Sequence, residues 1–215
     1  MSGVTLAFVG GGFGIPVPVV GSVLGGGFFA GQISTAGNGV ADFNLVIGPA
    51  ASALGTGKKW KTSNTETSGT SSVINGPTNS SNMNNADHPA AEFCEGLTIG
   101  GFSDWYMPAK NELEVCYYNL KPSVTTNNTS SGTNTNAVPS RGSNYTAGTP
   151  AQTSAVAFQT GGAEEFLAGA PFYNYWSSTQ YSSTQGWLQG FPNGGQYYST
   201  KGNSYRVRAV RRVAV

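Results

Sequence analysis

The 215-residue chain carries 11 basic and 10 acidic side chains, a net charge of +1, and only 10% charged residues, against roughly 25% in an ordinary soluble domain. Thirty-one glycines and long Ser, Thr and Asn runs fill the gap, which excludes a helical bundle, since bundles need Ala, Leu, Glu and Lys in quantity. Nucleic acid is excluded as a partner too: the arginines clustered between Arg206 and Arg212 are too few for a phosphate-binding stripe.

In chain order, residues 1–33 are uncharged. Triple glycines at 10–12 and 25–27, with Pro16 and Pro18, break any membrane helix or signal-peptide core. Residues 1–24 therefore read as an extended apolar assembly arm, buried against the chain's own domain or a partner, and residues 25–215 as one binding domain. Strand-like pieces follow at Gly27–Ile33, Phe43–Ile47 and Lys59–Thr62; Gly37-Asn38-Gly39 makes the first two a hairpin. Residues 63–85 read as a polar loop.

Two helices come next. One spans about Pro89 to Glu95 and is stopped by Gly96; Asp87 or His88 stands near its start. The other opens at Pro108, carries Leu113, Cys116, Tyr117 and Leu120 at helical spacing, and ends at Pro122. Gly100 to Met107 form an aromatic turn between them. Residues 123–150 read as a loop too polar to bury; its two glycosylation sequons, at Asn128 and Asn144, matter only in a eukaryotic secretory pathway. Residues 151–166 leave room for a short strand or helix. The end of the chain reads as a β-meander through Tyr175–Ser178, Gly186–Phe191 and Tyr205–Val210. The class is α+β, with the sheet assembled from both ends of the chain.

Cys94 and Cys116 are too few for a disulfide framework and cannot complete a zinc site with the lone His88. They read as buried free thiols or, if the helices pack side by side, one bridge. The Gly10–Gly14 run has no phosphate-loop lysine after it. Glu112 and Glu114 stand two apart on a helix, face different sides and read as a solvated face. Asp104 reads as a turn cap beside Trp105. Arg206 and Arg208, alternating with Val207 and Ala209, read as a structural strand with paired or stacked arginines.

Three ordered motifs carry a resemblance: Gly101-Phe102-Ser103-Asp104-Trp105-Tyr106-Met107-Pro108-Ala109-Lys110-Asn111-Glu112-Leu113, then Tyr175-Trp176-Ser177-Ser178-Thr179, then Tyr205-Arg206-Val207-Arg208-Ala209-Val210-Arg211-Arg212. Together they resemble the C-type-lectin-like receptor-binding domains of phage tail fibres and some bacterial surface proteins, over roughly residues 25–213. That family is related to retroelement-diversified variable proteins and to formylglycine-generating enzymes. The resemblance implies a mixed or antiparallel sheet with two helices and long polar loops, displayed on a virion and often trimeric. The enzyme's cysteine pair is missing, since no cysteine follows Cys116. The lectins' calcium motif has only Phe191-Pro192-Asn193 as a counterpart, without the carboxylates calcium prefers. The expectation is therefore no enzyme, no cofactor and no metal.

Residues 173–205 hold six of the ten tyrosines and two of the four tryptophans, with no acid after Glu165. Rigid aromatics among small hydrogen-bonding groups are the chemistry of an adaptable binding surface. Alternation puts Trp187, Gln189 and Phe191 inward and Leu188 outward. The expected receptor contacts are Gln180, Ser183, Gln185, Leu188, Pro192, Asn193, Tyr198, Ser199, Thr200 and Asn203, with Tyr175, Trp176 and Tyr205 as framework. The function expected is that of a virion surface adhesin, trimeric, joined to other virion proteins through residues 1–24 and binding a protein or glycan receptor on the host cell. A decoration protein of the particle, using the same fold for assembly, is the alternative.

Overall fold

A computed structural model describes residues 16–167 and 173–215; the Gly10–Gly14 run and most of the proposed arm lie outside them. Among the described residues, two five-stranded sheets and four short helices make a mixed α+β domain. The first sheet begins with β1 (Val23–Leu24), β2 (Gly27–Ile33) and β3 (Phe43–Ile47). β2 and β3 pair antiparallel, Phe28 against Ile47 and Ile33 against Phe43, which is the hairpin expected from the Gly37-Asn38-Gly39 turn. The last strand of the chain, β10 (Val210–Ala214), closes on β3 from the far end of the sequence. The arm's boundary at residue 24 falls inside the β1–β2 hairpin. Gly21 N–H donates to the Phe29 carbonyl at 2.8 Å, and Val20 packs on the core.

After α1 (Ala50–Ala53), β4 (Leu54–Lys59) enters the second sheet, so the strand expected at 59–62 starts and ends earlier. That sheet runs in the order β4, β9 (Ser204–Arg208), β6 (Asn174–Gln180), β7 (Gln185–Gly190), β8 (Gln196–Thr200). It is not the simple meander the sequence suggests. β6, β7 and β8 follow one another antiparallel, but β9 crosses back to lie parallel to β6 and antiparallel to β4.

The loop expected at 63–85 contains a helix, α2 (Gly76–Ser81), started by the Asn75 side chain accepting the Thr78 N–H at 3.3 Å. α3 (Pro89–Glu95) falls where expected, capped by Gly96. α4 (Lys110–Leu120) starts two residues after Pro108. Between α4 and β6 lie β5 (Ala137–Val138), added to β2, and a 3-10 turn at Val156–Phe158.

The segment 123–150 is not too polar to bury. Asn127, Asn134 and Asn136 are inside, because their amides replace the missing secondary structure as hydrogen-bond partners. Asn127 Nδ2 donates to the Pro150 carbonyl at 2.8 Å and Asn136 Nδ2 to the Ser34 carbonyl at 2.9 Å. A buried amide so satisfied costs little, whereas a bare one would cost about 1–3 kcal/mol. The core has two clusters on opposite sides of the second sheet, one around Tyr117, Phe166, Tyr175 and Phe191, the other around Trp60, Trp105, Trp176 and Leu188.

Candidate functional site: an aromatic face beside a buried ionic frame

Coverage of the second sheet on both sides decides where its residues point. Trp176 and Leu188 are cross-strand partners within the second cluster, and Leu188 is buried rather than exposed. Trp187 is only half-buried, opposite Tyr198. The inward and outward assignments at 187 and 188 are therefore reversed. Gln189 and Phe191 are buried as expected.

Trp187 anchors a surface cluster that the sequence reading missed. Tyr181, from the β6–β7 turn, stacks on Tyr198 of β8, with centroids 4.0 Å apart and planes 4° from parallel. Trp187 meets Tyr181 edge-on at 5.0 Å. Lys110 Nζ, at the first turn of α4, lies 4.6 Å from the Trp187 ring centre. Tyr181 and Tyr198 remain 45% and 50% exposed, so large apolar ring surface faces solvent with no carboxylate on its own strands. Tyr181, a lone ring among Ser, Thr and Gln turn residues, was the available signal.

Of the expected contacts, Gln180, Ser183, Gln185, Ser199, Thr200 and Asn203 gather with Tyr198 at this end of the β7–β8 hairpin. Ser183 and Asn203 are exposed and the others half-buried. Pro192 and Asn193 sit at the opposite end, where the Asn193 side chain accepts the Gly195 N–H at 3.1 Å. Gln180 is a strut as much as a contact: its Oε1 accepts from Thr67 N–H at 2.9 Å and Lys201 Nζ at 2.5 Å.

Lys201 is wholly buried, and among the described residues no carboxylate pairs with its ammonium directly. Its ammonium donates to the carbonyls of Thr65 and Ser183 at 2.9 Å each as well as to Gln180, and lies 4.5 Å from the Trp60 ring centre. Burial, with Lys61 adding to it, lowers its pKa to about 8. One side chain thus ties the 63–67 loop and the 181–184 turn beneath the aromatic face.

Behind this face the charges are internal. Glu112 and Glu114, expected on a solvated face, are both fully buried. Glu112 reaches back to accept the Ala109 N–H at 2.8 Å, half of a capping box, and takes the Tyr106 hydroxyl at 2.6 Å and Arg212 at 2.8 Å. Burial pushes its carboxyl up and Arg212 pulls it down. Arg212 stays above its ordinary value although burial works against it, because Glu112 and Tyr106 face it. Glu114 accepts from the Tyr145 hydroxyl at 2.6 Å, from Asn134 and from Arg141; burial raises its pKa, against Arg141. Alternation on a helix separates the two acids, as expected, but each side is covered.

Asp104, expected to cap a turn, is an ion-pair partner instead: both its oxygens take Arg211, at 2.7 and 2.9 Å, which lowers its pKa. Arg208 is buried, paired with Glu164 at 2.5 Å and set over the Phe166 ring, as the strand reading expected. Cys94 and Cys116 are free and buried, their thiols pushed up by burial. His88 stands at the N-cap position of α3, where its side chain makes no cap bond but is buried between Thr67 and Asn85, at 3.0 and 2.8 Å. Burial, then Lys61, lowers its pKa to about 4. Among the described residues no three His, Cys, Asp or Glu side chains converge to hold a metal.

The fold and this surface define a mixed α+β domain with an exposed aromatic face on an internally ion-paired frame. Residues 52–211 match the family model of the Lcl C-terminal domain, and the chain belongs to that family. No curated protein matches it. A solved fimbrial protein from Bacteroides ovatus is similar at 16% identity and a TM-score of 0.43, over 78% of this chain and 35% of that one, so the chain spans about a third of that protein's length.

Proposed function

We propose that this Lcl C-terminal domain is a non-catalytic attachment module that binds a receptor on a cell surface through the Tyr181–Trp187–Tyr198 face. The observation that carries the reading is the exposure of two stacked tyrosines on a sheet, beside hydroxyls and amides. Such rings lose little entropy on binding and dominate the energetics of interfaces. Four groups that invite an acid–base or nucleophilic reading are otherwise engaged, Glu112 and Glu114 by arginines and the two thiols by burial.

The C-type-lectin-like assignment, the virion as the displaying surface, residues 1–24 as the attachment arm and the trimer rest on the three sequence motifs and the apolar start of the chain. They form part of the same proposal. The test is a titration of soluble protein on receptor-bearing cells. The double variant Tyr181→Ala, Tyr198→Ala should lose at least about tenfold in affinity, about 1.4 kcal/mol. An unchanged titration would move the site elsewhere, first to the loops at 63–85 or 123–150.

A further inference from the structure

Lys201 stands in the turn between β8 and β9, with its ammonium against the side-chain carboxamide of Gln180, the last residue of β6. The Nζ–Oε1 separation is 2.5 Å. With a C=O bond of about 1.23 Å, Nζ is no more than about 3.7 Å from the carboxamide carbon Cδ. Reacting atoms stand roughly 3–3.5 Å apart before a bond forms, so the two groups are close to that geometry. A desolvated lysine is a nucleophile once its proton is gone. Burial, with Lys61 adding to it and Glu66 opposing, brings this pKa to about 8, so about a tenth of the chains hold the neutral amine at pH 7.

The carboxamide is held at both its ends. Thr67 N–H donates to Oε1 at 2.9 Å, and Nε2 donates to Glu66 Oε1 at 2.9 Å. Donors on one side and an acceptor on the other fix which end of the amide is oxygen. A backbone N–H on that oxygen stabilises the negative charge that gathers there when the carbon is attacked. A carboxylate on the nitrogen is placed to hand it a proton, and Glu66 is near enough to Lys201 for its charge to act on the ammonium.

We propose that Lys201 and Gln180 are joined by an isopeptide bond that the protein forms by itself, with Glu66 moving the protons. Glu66 takes a proton from the ammonium. The electron pair of the amine bonds to Cδ, and the π pair of the C=O moves onto Oε1 beside Thr67 N–H. Glu66 then gives its proton to Nε2; the C=O re-forms, the Cδ–Nε2 bond breaks, and ammonia leaves with the proton shed by the new amide nitrogen. Ammonium and carboxamide thus become a secondary amide and an ammonium ion, without oxidant or co-reactant. Glu66 is exposed, which gives the ammonia a way out, and the new amide keeps one N–H for the Thr65 or Ser183 carbonyl. The bond closes residues 180–201 into a ring that contains Tyr181, Trp187 and Tyr198. It adds to what the hydrogen bonds of Lys201 contribute, which a Lys201 variant measures against freshly folded, unlinked protein.

The test is the mass of the full chain after incubation to a constant value. The linked chain is lighter than its sequence by one ammonia. No Lys or Arg lies between Arg141 and Lys201, and Arg206 follows. Trypsin does not cut after an acylated lysine, so the digest should contain one peptide 142–206 lacking one ammonia. Lys201→Arg and Gln180→Ala should keep the full mass, and Glu66→Gln should link at least about tenfold more slowly. An asparagine before glycine, as at Asn193-Gly194, also loses ammonia when it closes an imide, but trypsin then still cuts after Lys201. A wild-type chain of full mass, cleavage after Lys201, or ammonia loss that persists in Lys201→Arg would overturn the proposal. Equal linking rates in wild type and Glu66→Gln would overturn the proton transfer assigned to Glu66. None of these readouts depends on receptor binding.

Discussion

α4 and β8 use their residues in opposite ways. α4 carries Glu112 and Glu114 into the interior, where each meets an arginine. β8 carries no charge and leaves two tyrosines, Tyr197 and Tyr198, 41% and 50% exposed. The usual arrangement, charge outside and rings inside, is inverted at both places. Four of the five arginines are committed to carboxylates, Arg141 to Glu114, Arg208 to Glu164, Arg211 to Asp104 and Arg212 to Glu112. In a chain with so few charges, that leaves the exposed side of the β7–β8 hairpin mainly to hydroxyls, amides and rings. On the proposed reading stability and recognition rest on different residues, and each should be removable without the other.

The largest effect is expected in the frame. Glu112→Ala strips Arg212, the Tyr106 hydroxyl and the Ala109 N–H of their shared acceptor, and removing one partner of a buried pair costs about 3–5 kcal/mol. Chemical denaturation should place the variant that far below the wild type; a cost under about 1 kcal/mol would mean that the pair is solvated. Next comes Lys201→Met, which keeps the stem over Trp60 but takes their ammonium donor from the Thr65 and Ser183 carbonyls and leaves Gln180 Oε1 only the Thr67 N–H. At about 1–3 kcal/mol for an unsatisfied group, with both carbonyls on exposed residues that water can reach, a loss of about 1–2 kcal/mol is expected. It should be accompanied by faster exchange in residues 63–67.

A smaller effect concerns pH. His88 has a pKa near 4 when folded against an ordinary 6.5, so the unfolded chain binds the extra proton. Its contribution is fully present above pH 6.5 and is lost as the pH falls through that window toward 4. The melting temperature of wild type should therefore fall more steeply between these values than that of His88→Gln. Parallel curves would mean that the imidazole is not held neutral.

Much of the architecture was legible because it is written locally. The β2–β3 hairpin follows from Gly37-Asn38-Gly39 between apolar runs, α3 from Pro89 and Gly96, and β6, β7 and β9 from aromatic and β-branched runs. The burial of Glu112 was not legible, since its partner Arg212 is a hundred residues away and nothing near the helix announces it. Nor was the burial of 123–150, which depends on asparagine amides finding distant carbonyls. At Trp187 and Leu188 alternation was right about period and wrong about direction, because a sheet covered on both faces gives no hydrophobic contrast to orient it. For the candidate site, Tyr198, its neighbours at 183–185 and 199–203, and the lone turn ring Tyr181 were within reach of composition, while Lys110 needed the fold to bring it there.

Separation of stability from recognition is tested most directly by measuring Tyr198→Ala twice on one preparation, for unfolding free energy and for binding to receptor-bearing cells. A half-exposed ring outside both core clusters should change stability by no more than about 0.5 kcal/mol, while its loss as an anchor should weaken binding by more than about 1 kcal/mol. Binding at the wild-type level, or a loss of stability as large as the loss of binding, would contradict the account.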